Sequence, residues 1–165
     1  MWKLLCAFLL FLICVLMGGA ASEKLKKRAD MLSMLLADMK TFRSGLQNEN
    51  LSVDRIVSEL SKSGNLKDFW HEIKKEVDTN RSFGEACSKS ENMISGLDKK
   101  EIEEFKTFAA DFGTDDIQTE LNRLDTLIEK FEEKERMYKC EYPKKIKLLR
   151  SLSLLGGLAL ALVLL

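Results

Sequence analysis

Both ends of this 165-residue chain are apolar and uncharged. Residues 4–21 carry no charged side chain, and neither do residues 151–165. All of the acidic residues, and all but one of the basic ones, lie in the stretch between them. A helix rises about 1.5 Å per residue, so residues 4–21 would span roughly 27 Å, close to the hydrocarbon thickness of a bilayer. These ends leave room for one domain of ordinary size between two membrane-seeking segments. The expected division is 1–21 as an N-terminal transmembrane helix, 22–147 as a cytoplasmic helical bundle and 148–165 as a C-terminal transmembrane helix.

The flanks set the expected sidedness. Lys24, Lys26, Lys27 and Arg28 follow the first apolar run, and Lys139, Lys144, Lys145, Lys147 and Arg150 precede the second. Cations beside a span resist translocation, so both clusters hold the middle domain in the cytoplasm. The competing reading takes Lys3 and Gly19-Ala20-Ala21 as the basic start and small-residue cleavage site of a signal peptide. The protein would then be an exported surface protein with a cleaved leader and a C-terminal tail anchor, acting as a binding module.

The middle reads as helix throughout, with one proline in the chain and no sustained period-two alternation. Six helices are expected. The first, over about 23–44, places Leu25, Leu32, Leu35, Leu36, Met39, Phe42 and Leu46 on one stripe. Ser52 would cap the second (Val53, Ile56, Val57, Leu60), and Asn65 the third (Leu66, Phe69, Trp70, Ile73, Val77). Ser82 with Glu85 forms a capping box for the fourth, which uses Phe83, Ala86, Cys87 and Ile94. Asp98 with Glu101 opens the fifth, with Ile102, Phe105, Phe108, Ala109 and Phe112 inward and Gly113 at its close. Thr114 would cap the sixth, along Ile117, Leu121, Leu124, Ile128, Phe131 and Tyr138, until Pro143 kinks or interrupts it.

Little in this pattern carries chemistry, and no enzymatic activity is expected. His71 stands alone on a helix beside the apolar stripe, with no nucleophile in a catalytic pattern. Asp111-Phe112-Gly113 spells the kinase metal motif, but no glycine-rich loop or HRD accompanies it, so it reads as a helix terminus. No phosphate-binding GxxxxGK loop occurs. Cys6, Cys14, Cys87 and Cys140 form no CxxC, so no metal site or cofactor is expected. Reduced thiols suit a cytosolic domain, and a Cys87–Cys140 disulfide remains open for an exported one. Acidic and basic residues number 26 each, so no basic field recruits nucleic acid. The carboxylate-rich runs at Glu101, Glu103 and Glu104 and from Glu129 to Arg136 read as solvated, outward arcs. With the apolar stripes consumed by the bundle, partner contacts fall to Lys99, Lys100, Glu103 and Glu104, and to Glu129, Glu132, Glu133 and Arg136.

The tail Lys147-Leu148-Leu149-Arg150-Ser151-Leu152, followed by Leu155-Gly156-Gly157-Leu158, resembles that of the stage III sporulation protein AB family of endospore-forming bacteria. Phe108, Phe112-Gly113, Asp116 and Gln118 fit the same family's central pattern, and Lys27-Arg28 with the Leu/Met-rich helix after them fit its N-terminal part. Leu149 and Ser153 stand where the family pattern has Tyr and Gly. The resemblance implies a cytoplasmic bundle similar to type II secretion F-protein domains, in a two-pass protein on the mother-cell side of the outer forespore membrane. It also implies a non-enzymatic platform in the sporulation channel between mother cell and forespore. Its partners would be membrane lipid, a cytoplasmic secretion-type ATPase and the other channel proteins.

Overall fold

The computed structural model describes residues 2–48 and 51–164, of which 2–22, 48 and most of 141–164 by backbone alone. The described residues form α1 (Trp2–Asn48), α2 (Val53–Ser63), α3 (Lys67–Val77), α4 (Phe83–Lys89), a 3-10 turn (Glu91–Ile94), α5 (Lys99–Asp111) and α6 (Ile117–Leu164), with no strand among them. The all-helical class and the count of six helices follow the sequence pattern. Two units emerge, Arg28–Glu135 and a second made of Met1–Lys27 with Arg136–Leu165.

Within Arg28–Glu135, α1 and α6 run antiparallel. Ser33 Oγ donates to Glu135 Oε1 at 2.5 Å, Lys40 Nζ lies 2.7 Å from Glu132 Oε1, and Arg43 forks onto the Asp125 carboxylate. Rising numbers on α1 thus meet falling numbers on α6. Between these ties Leu32, Leu35, Leu36, Met39 and Phe42 of α1 and Leu124, Leu127, Ile128 and Phe131 of α6 are buried, because 3–4 spacing keeps them on one face of each helix. The short helices close the core with Ile56, Val57, Leu60, Phe69, Trp70, Ile73 and Phe105. An aromatic chain runs Trp70–Phe42–Phe83–Phe112–Phe108, with ring centroids 5.4–6.3 Å apart.

Several local expectations change. The expected Asn65 cap is replaced by a carboxylate from another helix. Helix α3 starts at Lys67, and Asp38 of α1 accepts from Asn65 N (2.7 Å), Asn65 Nδ2 (2.8 Å), Leu66 N (2.9 Å) and Trp70 Nε1 (2.8 Å). Ser52 holds the N-cap position of α2, but its side chain makes no capping bond. The fourth helix stops at Lys89, where Ser90 Oγ turns back to the Ala86 carbonyl at 2.9 Å, and a 3-10 turn completes it. Gly84, a poor helix former, stands there because a Cβ would lie 2.6 Å from Ala110 Cα, so α4 and α5 touch backbone to backbone.

Asp116, not Thr114, caps α6: its Oδ1 accepts from Gln118 N at 3.0 Å and Thr119 N at 3.1 Å, while Thr114 Oγ1 bonds back to the Asp111 carbonyl. Of the kink or interruption expected at Pro143, the interruption does not occur, since α6 runs 48 residues through it. A proline forfeits one backbone bond and crowds one carbonyl, a local loss that a long helix bridges from both sides. Cys87 and Cys140 are both free, so the disulfide alternative is not realised. Among the described residues no helix is long and apolar enough to cross a membrane. The first expected span falls on residues whose side chains lie outside the description, and so does most of the second.

Candidate partner-binding surface

A capping box ties the start of α5 to α1, and a tight turn held by Glu120 joins its end to α6. Asp98 N donates to Glu101 Oε2 at 2.8 Å, closing the box expected at this start. Glu101 Oε1 then accepts from Arg28 Nη2 at 3.0 Å, and Arg28 also meets Asp98 at 2.9 Å. Glu101, assigned to the outward arc by sequence, is therefore buried; a cation reaching in from α1 compensates its charge. At the other end Phe112 ends the helix and Gly113 adopts φ +90°, the left-handed turn that glycine makes without strain. Glu120 Oε1 then accepts from Gly113 N and Asp115 N, at 2.9 and 3.2 Å.

From there α6 returns beside α5. Arg123 meets Asp115 at 2.5 Å and Lys134 meets Glu104 at 2.6 Å, which fixes an antiparallel register. The inward faces are Phe105 and Ala109 against Leu124, Ile128 and Phe131. The outward faces enclose a groove of about 410 Å³. Lys100, Glu103, Thr107, Phe108 and Asp111 of α5 form one wall, with Arg123, Leu127 and Lys130 of α6 as the other. Phe108 is half-buried and Leu127 buried, so the floor is apolar and the rims charged.

The structure brings part of the expected surface together. Lys100, Glu103 and Glu104 line this groove, and Lys99 is exposed beside it at the start of α5. Glu104 is tied to Lys134 and Glu132 to Lys40, which leaves them less available than expected. Glu129 and Glu133 are exposed on α6, outside the groove lining, and Arg136 is exposed on α6 in the other unit. Sequence reasoning gave Phe108 to the core, Asp111 to a helix end and Lys130 to a solvated run. The signal it passed over is a second stripe on α5, at 100, 103, 107 and 111, spaced like the buried one but on the opposite face.

Elsewhere His71 is exposed on α3. Among the described residues no three His, Cys, Asp or Glu side chains gather as a metal ion would need. Burial pushes the Cys87 thiol far up from the ordinary range, which makes it unreactive. The Glu91 carboxylate, bonded to Lys106 at 2.9 Å, holds that ammonium above the usual lysine range. Compared with known proteins, the chain matches no curated protein and no solved structure. The family model of Stage III sporulation protein AB does match, over residues 3–165. The chain belongs to the stage III sporulation protein AB family, a membership that implies a role in sporulation.

Proposed function

We propose that the protein is a non-enzymatic membrane platform of the sporulation channel, with its helical bundle in the cytoplasm and a membrane helix at each end. The observation that carries the membrane reading is a stripe on α6. Leu148, Leu152 and Leu155 are 60%, 60% and 63% exposed, one helical face beginning directly after exposed Lys144 and Lys147. Such a face is costly in water and suits lipid, with the lysines at the headgroup level. Helices α1 and α6, which carry the apolar ends, also supply much of the core of Arg28–Glu135, so a load on that unit has a helical path to both ends.

In this reading a cytoplasmic secretion-type ATPase docks on the charged faces of α5 and α6. Lys99, Lys100 and Glu103 form one patch, and Glu129 and Glu133 the other. Rim charges of this kind give salt-sensitive contacts of modest strength. Cys140 tests the sidedness, because it is exposed whereas Cys87 is buried. A membrane-impermeant thiol reagent applied to intact cells is expected to leave Cys140 unmodified and to modify it after lysis. Modification in intact cells would overturn the platform and favour the exported protein with a cleaved leader. With the purified ATPase, retention of the full chain is expected to fall as ionic strength rises and to weaken with Lys99→Glu.

A further inference from the structure

We propose that the groove between α5 and α6 receives an amphipathic helix of a partner protein. That helix would carry two carboxylates about two turns apart, an apolar stripe, and a cation beyond the second carboxylate. The proposal rests on the platform reading only for the partner's being cytoplasmic; the groove chemistry stands by itself.

Three observations lead there. Lys100 to Asp111 covers about 17 Å of α5, three turns that a docked helix of similar length would match. The floor is apolar, with half-buried Phe108 and buried Leu127 side by side between two antiparallel helices, the geometry in which a third helix seats its ridge. Three of the rim charges are uncompensated, whereas Glu103, which also lines the groove, is paired with Lys106. Glu104, Lys106, Arg123 and Lys134 all have ion-pair partners, whereas the side chains of Lys100, Lys130 and Asp111 have none among the described residues. The register set by Glu104–Lys134 and Asp115–Arg123 places Lys130 across from Phe108. Along the groove a docked helix therefore meets Lys100 first, Lys130 two turns later and Asp111 last. The two cations and one anion select the complementary order, and reversing the orientation of a docked helix does not convert one sign pattern into the other.

The test uses the full chain in detergent and a fluorescent synthetic helix as probe. The probe carries two glutamates seven residues apart, leucines on the same face and one lysine a turn beyond. A control has each of these three charges reversed. Fluorescence anisotropy is expected to show the probe binding at least about tenfold more tightly than the control. The triple variant Lys100→Glu, Lys130→Glu, Asp111→Lys, folded by circular dichroism, is expected to exchange that preference. Thr107→Arg, which fills the groove at an exposed position, is expected to remove binding of both. Equal binding of the two helices to the wild-type chain, or no binding of either, overturns the proposal. So does a wild-type chain that sediments as a dimer which the probe splits into monomers as it binds, since a second copy would then hold the site. Modification of Cys140 in intact cells would sink the platform reading and leave these binding results as they stand.

Discussion

The indole nitrogen of Trp70 donates to Asp38 Oδ2 at 2.8 Å, across 32 residues of chain and at a place where both residues are 1% exposed. The same carboxylate takes the backbone N–H groups of Asn65 and Leu66, so one acid on α1 supplies the cap that α3 lacks. Replacing it with alanine strands the buried donors of Leu66 and Trp70. At about 1–3 kcal/mol for each stranded donor, Asp38→Ala is expected to cost roughly 3 kcal/mol. Asp38→Asn keeps one acceptor oxygen and is expected to cost less. Thermal melts of the full chain in detergent, followed by the near-ultraviolet signal of tryptophan, check both.

Phe105 is 1% exposed and its ring lies 5.9 Å from that of Phe69, while His71 on α3 is exposed. Phe105→Ala is expected to cost about 3–5 kcal/mol, as for other large-to-small changes in a close-packed core. His71→Ala is expected to leave the melting temperature nearly unchanged. A larger effect at His71 than at Phe105 would contradict the assignment of the buried face of α3.

Gly84 admits no side chain, because a Cβ would strike the Ala110 backbone rather than a movable group. Gly84→Ala is expected to push α4 from α5 and cost about 1–3 kcal/mol, despite alanine's better helix propensity. A neutral or stabilising result in the same melt would show that the two helices separate freely.

The Thr119 hydroxyl and backbone amide, and the Gln118 amide, hold the Asp116 carboxyl below its ordinary range. A depressed folded-state pKa contributes stability that is complete above the unfolded value and fades as pH falls through the folded one. The start of α6 is therefore expected to loosen below the ordinary carboxylate range. Asp116→Asn, which can still cap, is expected to flatten that part of the pH profile. Melting temperatures of both chains at a series of acidic pH values measure the difference.

The sequence made the helices legible because their stripes repeat at 3–4 spacing; the two capping boxes were legible because each is a contact within four residues. What escaped it acts over distance. Nothing near Asp38 tells that its acceptors serve residues 65–70, and nothing near Glu101 tells that Arg28 comes to meet it. Each needs α1 already laid on the shorter helices. The groove escaped for a related reason: Phe108 satisfies the inward pattern of α5, and only the position of α6 decides that its ring is left half-covered. At Pro143 the local rule allowed a kink or an interruption, and the helix of 48 residues runs on through it, since one missing bond weighs little in so long an element.

The antiparallel pairing of α1 with α6 bears on how the chain is made. Ser33 bonds Glu135 across 102 residues, and Arg43 bonds Asp125 across 82. During synthesis the leucine face of α1 emerges long before the helix that covers it, and closing so large a loop brings an entropic cost before any contact repays it. Helices α2 to α5 are made in the interval and can dock on α1 as they appear. The last-made helix then completes the core, so a nascent chain halted before residue 125 leaves the Leu32–Leu46 face open on the side where α6 belongs.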